Sequence, residues 1–506
     1  MPLTKIKFAP GIDKQDTAVG AEGRWVDSDN VRFRYGLPEK VGGWQSLLTD
    51  TIVGVARKQH AFVDTDGNRY VAIGTDKFLL IYFEGQLFDI TPLKADITGA
   101  TIATVDGSPT CTITTSSAHN ISVGDIVLFD SVTLPGGTGY TAADFEDKNF
   151  QVISVPSPTT FTINQSSNAS ATVATGGSIT LKPYEPVGPA AQSYGYGFGI
   201  SEWGGSVTGS ATSTLNGGIV AADTTIALTN ASSFTASNGQ VLIGNFSSGN
   251  YASTSELVNY AAVSTNNLTT CSRSQDGTTA PSSTATGTTV TESTLWSGWG
   301  EAVNASTVTL EPGLWSLSNF GEVLVATVAN GKTFTWNAGI TARLTTRAST
   351  TTSGFSTSNN PTATRVTLIS PTTRHLIHFG TEETIGTPST QDDMFIRFSV
   401  DEDINNYTPE ATNTAGTQRL QDGTKIMGAL VAKENILVWT DNALYAMKFV
   451  GAPFTFGFEQ VGTNCGLIGK NAAIEIDGVA YWMGNNGFFS FDGTVNSLPC
   501  SVEDFV

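Results

Sequence analysis

The sequence predicts an all-β chain whose body is a β-propeller of about five to seven blades, interrupted by two small inserted β-sandwich or barrel modules. Three observations predict it. Only 14% of the 506 residues are charged, and Ser, Thr, Asn and 53 Gly stand where exposed helices would carry Glu, Lys and Arg. One hairpin pattern, two apolar runs broken by a polar turn, recurs along the chain. Two of its copies, at Ile436 and Ala480, start 44 positions apart, within the roughly 40–50 residues of a four-stranded blade.

Residues 1–50 read as an N-terminal arm. Within it Val31-Arg-Phe-Arg-Tyr35 alternates, which puts Arg32 and Arg34 on one face and Val31, Phe33 and Tyr35 on the other. With Arg24 and Lys40 the arginines form the one basic concentration in the chain, set among Trp25, Phe33, Tyr35 and Trp44. The expectation is an interface made by Arg24, Trp25, Arg32, Phe33, Arg34 and Trp44, docking on a neighbouring subunit or closing the propeller ring. Contact with passing DNA is the alternative.

Residues 51–93 read as the first blade, whose hairpin begins at Tyr70 and runs through Leu79-Leu-Ile-Tyr-Phe83. Residues 94–182 read as the first inserted module, with strands around Cys111-Thr-Ile-Thr114, Ile126-Val-Leu-Phe129, Phe150 and Thr159-Thr-Phe-Thr-Ile163 and a tight turn at Gly124-Asp125. A propeller segment at 183–205 contains Tyr194-Gly-Tyr-Gly-Phe-Gly-Ile-Ser-Glu-Trp203, and with Leu295-Trp-Ser-Gly-Trp-Gly-Glu301 it reads as one interrupted blade. Between them, residues 206–292 read as the second module. Its strands fall at Thr225, Gln240 and Glu256, and its tail from Gly277 reads as a loop.

Residues 293–506 read as the remaining blades. The hairpin pattern returns at Val323–Trp336, at Leu376 with Met394, at Ile436–Met447 and at Ala480–Gly493. Trp315, Trp336, Trp439, Tyr445, Trp482 and Phe489 are the aromatic side chains expected to fill the blade cores. A single sheet of this kind cannot bury both faces, whereas radial stacking buries each against its neighbours.

Catalytic chemistry finds no home in the pattern. Around Gly469-Lys470 the positions a phosphate-binding loop needs are Asn464 and Asn471, and no GxSxG elbow exists. Gly195, Gly197 and Gly199 lack a following helical segment. The four histidines are His60, His119, His375 and His378, and in a strand the odd spacing of the last two sends them to opposite faces. Asp64-Thr-Asp-Gly-Asn68 has its glycine two positions too early for a calcium loop and reads as a hairpin turn. Asp401, Glu402 and Asp403 read as solvated loop acids. Cys111, Cys271, Cys465 and Cys500 show no CxxC spacing and read as reduced thiols. The expectation is therefore no enzyme, no cofactor and no metal.

Charge excludes another class. With 26 Lys+Arg against 45 Asp+Glu the net charge is −19, which argues against a groove that grips nucleic acid by neutralising phosphates. Acidity suits a surface past which DNA slides, and equally a Ser/Thr-rich surface kept soluble by charge. The N-terminus lacks the apolar core of a signal peptide and no apolar run nears 18 residues, so the expectation is synthesis in the cytoplasm with no membrane-spanning segment.

Phe8-Ala-Pro-Gly-Ile12, Gly23-Arg-Trp-Val-Asp-Ser-Asp-Asn-Val-Arg-Phe-Arg-Tyr-Gly36 and Pro38-Glu-Lys-Val-Gly-Gly-Trp44 resemble the opening of the packaged-DNA stabilisation, or tail accessory, proteins of short-tailed bacteriophages. Leu314–Val325, Leu437–Met447 and Ser497–Asp504 resemble that group's blade strands, so the resemblance covers roughly residues 1–93 and 295–506. It implies a structural virion protein of the viral tail, a nozzle or tail hub. Six copies would form a hexameric ring below portal and adaptor, through which double-stranded DNA passes during ejection without sequence-specific binding. Tail fibres or a needle or plug are further partners it allows. The alternative is a tail adhesin that binds or depolymerises host carbohydrate.

Overall fold

A computed structural model describes residues 8–188, 211–292, 311–350 and 359–501, apart from 18, 47–50, 245, 248–249, 252–254, 276–277 and 434. The chain forms two compact units, residues 1–190 with 313–506, and residues 191–312.

In the first unit each recurrent hairpin belongs to an antiparallel meander, as the middle pair wherever the sheet has four strands. The copy at Tyr70 becomes strands Arg69–Thr75 and Leu79–Phe83, flanked by Ala56–Val63 and Gln86–Asp89. Those at Ile436 and Ala480 become Ile436–Thr440 with Ala443–Gly451 and Val479–Gly484 with Gly487–Phe491. Five such sheets form a five-bladed propeller: blade 1 at 56–89, blade 2 at 315–337, blade 3 at 364–419, blade 4 at 426–463 and blade 5 at 473–498. Four have four strands; blade 2 has three, and a bridge from Thr335 to Ser349 extends its outer edge. The interrupted blade expected at Tyr194–Trp203 and Leu295–Glu301 lies outside the described residues.

Apolar clusters weld four of the junctions. Phe62, Tyr70 and Ile81 of blade 1 pack on Trp315, Leu324 and Trp336 of blade 2. Val325 of blade 2 meets Leu376 and Tyr407 of blade 3. Phe379 and Phe398 of blade 3 meet Val438, Tyr445 and Phe456 of blade 4. Trp439 and Leu444 of blade 4 meet Ala480 and Trp482 of blade 5. The aromatic set Trp315, Trp336, Trp439, Tyr445 and Trp482 is buried, and Phe489 is partly buried against the last of these clusters.

The junction between blades 1 and 2 is close enough to dictate sequence. A Cβ on Gly74 would meet Trp315 Cδ1 at 2.6 Å, and the indole Nε1 donates to the Thr75 carbonyl at 3.0 Å. Only glycine lets the tryptophan lie flat on that strand.

The first insert starts and ends side by side: Lys94 N donates to the Pro183 carbonyl and Leu93 bridges Tyr184. Its strands are Ile97–Thr104, Thr110–Thr114, Ile126–Thr133, Lys148–Gln151 continuing into Ser154–Ser157, Thr160–Asn164 and Val173–Pro183. The broken fourth strand pairs with the third on one side and the fifth on the other, so the sheet curls closed in the order first, second, fifth, fourth, third, sixth. Its core holds Ile113, Ile121, Val127, Phe129 and Phe161.

The second unit repeats that topology. Thr212–Thr214, Thr225–Ala227, Ser237–Ile243, Glu256–Ser264, Asn267–Thr269 and Thr289–Glu292 pair in the same circular order, and a Leu215–Leu228 bridge joins first to second strand. Ile226, Phe234, Val241 and Ile243 occupy core positions matching Ile113, Ile121, Val127 and Phe129. The two inserts are one barrel used twice. The tail expected to be a loop contributes a short strand, Ser283–Thr284, paired with Ile219–Val220, because its β-branched residues find an open edge.

Candidate functional site

Two places in the first unit lack the packing that surrounds them: the seam where blade 5 returns to blade 1, and the arm beside it.

In the strand Ala473–Ile476, Ala473 and Glu475 turn toward blade 4 while Ile474 and Ile476 point away, 55% and 52% exposed. Tyr481, opposite Ile474, widens this apolar face. The corresponding face of blade 1 does not meet it, because the first barrel covers that face with Ile126, Leu128 and Tyr184 packed on Ile73 and Leu80. Among the described residues no apolar cluster spans the seam. Asn471 stitches it near the axis, donating to the Arg57 carbonyl at 3.1 Å and accepting from Lys58 Nζ at 3.4 Å.

The arm is rooted just past the last strand of blade 5, where Lys14 N donates to the Ser501 carbonyl and Ser501 Oγ to the Ile12 carbonyl. Trp25 lies between Phe8 and Phe33, with ring centroids 5.5 and 6.4 Å away. Beyond it Val31–Arg34 pairs with Leu37–Lys40 in a hairpin that, among the described residues, joins no other sheet.

Three expectations for this region are corrected. Tyr35 does not share a face with Val31 and Phe33; it occupies the turn with φ near +50°, followed by Gly36 at +78°, and is 92% exposed. The basic groups are not a free patch, since Arg24 pairs with Asp13 at 2.8 Å and Arg32 with Glu39 at 3.1 Å across the hairpin. Nor does the arm close the propeller ring as a strand of the last blade, whose four strands all lie within 473–498. Of the expected interface residues Trp44 stands farthest out, 97% exposed, while Arg34 lies over the Tyr35 ring at 5.4 Å.

The propeller axis holds a cavity of about 540 Å³, lined by the inner strands of blades 1 to 4 and by Lys470 and Asn471. Lys58 and His60 point into it from blade 1, and Asn319 Oδ1 accepts from His60 Nε2 at 2.8 Å. Burial holds Lys58 below the ordinary ammonium range. Burial, followed by the Lys58 charge and against the Asn319 hydrogen bond, holds His60 below the ordinary imidazole range. Sequence reasoning missed this lining; the alternation of Lys58, His60 and Phe62 was the available signal.

Elsewhere the polar residues that the sequence singled out fall into separate local environments. His378 bonds Thr364 Oγ1 and Tyr407 Oη, each at 3.0 Å, inside the sheet, whereas His375 sits on the opposite face among Phe398, Phe449 and Phe456. Asp401 accepts from Thr414, Glu402 from Arg374 and Asp403 from Asn405 N, so the acidic run is three separate contacts. Asp64 caps its turn by accepting from Asp66 N and Asn68 N. Burial pushes the Cys111 and Cys271 thiols up to about 11, far from reactive thiolates. Among the described residues no three His, Cys, Asp or Glu side chains are grouped to hold a metal, and no helix is long and apolar enough to cross a membrane.

No family model and no curated protein matches the chain. Among solved structures, the extracellular domain of a one component system from B. thetaiotaomicron is similar at 12% identity, covering 93% of this chain and 62% of that one, with a TM-score of 0.23. The phage phi92 endosialidase is similar at 13% identity over 84% of this chain and 52% of its own, with a TM-score of 0.15. PorZ, a surface component of the type-IX secretion system of Porphyromonas gingivalis, is similar at 9% identity over 86% of this chain and 63% of its own, with a TM-score of 0.25. The chain spans less than two thirds of the length of each of these structures.

Proposed function

We propose that the chain is a non-enzymatic structural subunit of a short-tailed phage tail, which assembles as a ring below the portal and adaptor and leaves an opening for DNA. One observation carries the reading. The same polypeptide displays an exposed apolar blade face, Ile474, Ile476 and Tyr481, and an arm on which Tyr35, Leu37 and Trp44 are exposed. Full burial of such side chains is worth about 1.5–3 kcal/mol each. An isolated two-stranded hairpin is marginal in water, so it gains most from a partner.

Arm and face are different patches. A contact between them is head to tail and generates a closed ring or an open filament rather than a two-fold dimer. A cavity of 540 Å³ on the axis of one propeller takes a small molecule, so the DNA passage belongs to the centre of the ring. Net charge −19 supports an unbinding wall there. The resemblance of the Gly23–Gly36 and Pro38–Trp44 segments to tail accessory proteins supplies the virion setting.

Light scattering and negative-stain electron microscopy, with and without adaptor, test it. The expected result is a ring, lost in a chain carrying Ile474→Asp and Ile476→Asp. A chain that stays monomeric at high concentration and with adaptor, or that binds host cells alone as a trimer, would overturn it in favour of an adhesin. Arg34→Glu should impair assembly; normal particles with slowed ejection would instead place the arm against DNA.

A further inference from the structure

The lining of the axial cavity runs against the composition of the chain. Acidic residues outnumber Lys and Arg by 45 to 26, yet no Asp or Glu lines the cavity, while Lys58, His60, Arg374 and Lys470 do. Arg374 is answered at the mouth by Glu402 at 2.6 Å, and Lys470 donates to the Arg365 carbonyl at 3.2 Å. Lys58 is answered differently. Its contact is the neutral amide oxygen of Asn471, at the long distance of 3.4 Å.

A half-buried ammonium loses part of its hydration, one long bond to an amide replaces little of it, and the usual remedy is a carboxylate. The cavity offers none. His60, two residues along on the same strand face, adds a second group that gains from a negative partner, and the hydroxyl of Ser316 and the Asn319 amide line the same space. The Lys58 ammonium, with His60 offering Nδ1–H as a second donor once a bound anion holds the ring protonated, faces about 540 Å³ bounded by four strands, which makes a site for a small ligand.

We propose that the propeller axis is a binding site for a compact oxyanion, held chiefly by Lys58 with His60 beside it. The oxyanion is either free phosphate or the phosphate or carboxylate of an acidic sugar; in each case the chemistry recognised is two or more anionic oxygens on one centre. The site is internal to one propeller and does not depend on ring assembly.

The test is a phosphorus NMR titration of inorganic phosphate with the full chain at constant ionic strength, chloride making up the balance. Saturable broadening with Kd of about 1 mM or tighter is expected. Lys58→Met should weaken it at least tenfold and Lys58→Arg should retain it, whereas Lys448→Met, which removes a lysine paired with Glu459 on the outer surface, should leave it unchanged. A measurement needing no variant accompanies it: phosphate should protect Lys58, and not Lys448, from acetic anhydride, read by mass spectrometry. Glucose 6-phosphate or glucuronate displacing phosphate at lower concentration would assign an acidic sugar; failure of both to compete better would assign free phosphate. Absence of saturable broadening, equal binding by Lys58→Met, or acetylation of Lys58 indifferent to phosphate would overturn the proposal. None of these outcomes bears on whether the chain forms rings.

Discussion

The strand Ala56–Val63 has two faces with opposite fates. On one, Phe62 is buried against Trp336 and His60 reaches Asn319, so blade 1 is fused to blade 2. On the other, Ala61 and Val63 remain exposed, and across the seam Ile474 and Ile476 are exposed too. The inner strands at the two junctions are alike in kind; what differs is a neighbour. Barrel 1 took the outer part of blade 1 as its floor, and Asn471 ties the axis. Apolar clusters join four of the junctions, and among the described residues none spans the fifth.

The largest effect should come from breaking a weld. Trp315→Ala removes a buried indole and its bond to Thr75 and should cost about 3–5 kcal/mol. Ile474→Asp, on the open side, should change the stability of the isolated chain by no more than about 0.5 kcal/mol while abolishing ring formation. Thermal unfolding and light scattering on the two variants check both halves. Equal destabilisation would mean that the seam is packed after all.

A smaller perturbation of the same weld is Gly74→Ala. Its Cβ would fall 2.6–2.8 Å from three atoms of Trp315, so the indole must move or the strand must bend, at about 1–3 kcal/mol. Combined with Trp315→Gly it should cost almost nothing beyond that change, because Cδ1, Cγ and the Cβ at 2.8 Å, which alanine would keep, are then all gone. Additive losses would show that Gly74 matters for its backbone rather than for the tryptophan.

What the sequence disclosed follows the same division. Middle strands were legible because both their faces are buried and sharp turns such as Asp441-Asn442 interrupt them. Inner and outer strands were not: Ala56–Val63 and Gly416–Arg419 are half wet, and their polar residues mask the alternation. The 44-residue echo appeared once because the loops of blade 3 stretch its spacing. The seam left no trace, since Ala-Ile-Glu-Ile at 473–476 alternates as any half-buried strand does. In the arm, Tyr35-Gly36 sits between two alternating runs and was a legible hairpin turn. The equivalence of the barrels hides in spacing: Ile113 to Ile121 and Ile226 to Phe234 share an eight-residue step with little identity between.

Acid should probe the welds that contain histidine. His378 is wholly buried, and desolvation first, then the charge of Arg397, pushes it down to about 3. Its folded value lies below its unfolded one, so the unfolded chain binds the proton first. The stability is therefore whole above pH 6.5 and is lost as pH falls toward 3, by up to about 1.4 kcal/mol per unit. His378→Gln, which keeps a donor for Tyr407, should flatten the stability profile over that interval relative to the parent chain. An unchanged slope would show that carboxylates elsewhere account for all of the acid sensitivity.

The mildest change should raise stability. His375 lies on the face toward blade 4, fully buried and edge-on to Phe398 and Phe456, with neither ring nitrogen within hydrogen-bonding geometry of a partner. Buried polar atoms without partners cost about 1–3 kcal/mol, part of which a phenyl ring of similar shape would return. His375→Phe should therefore stabilise the chain by about 0.5–1 kcal/mol at pH 7, and by more at pH 5, where burial keeps this imidazole from taking up its proton. A loss instead of a gain would mean that the weld between blades 3 and 4 depends on the imidazole, and that its polar atoms are satisfied through motions the static packing does not display.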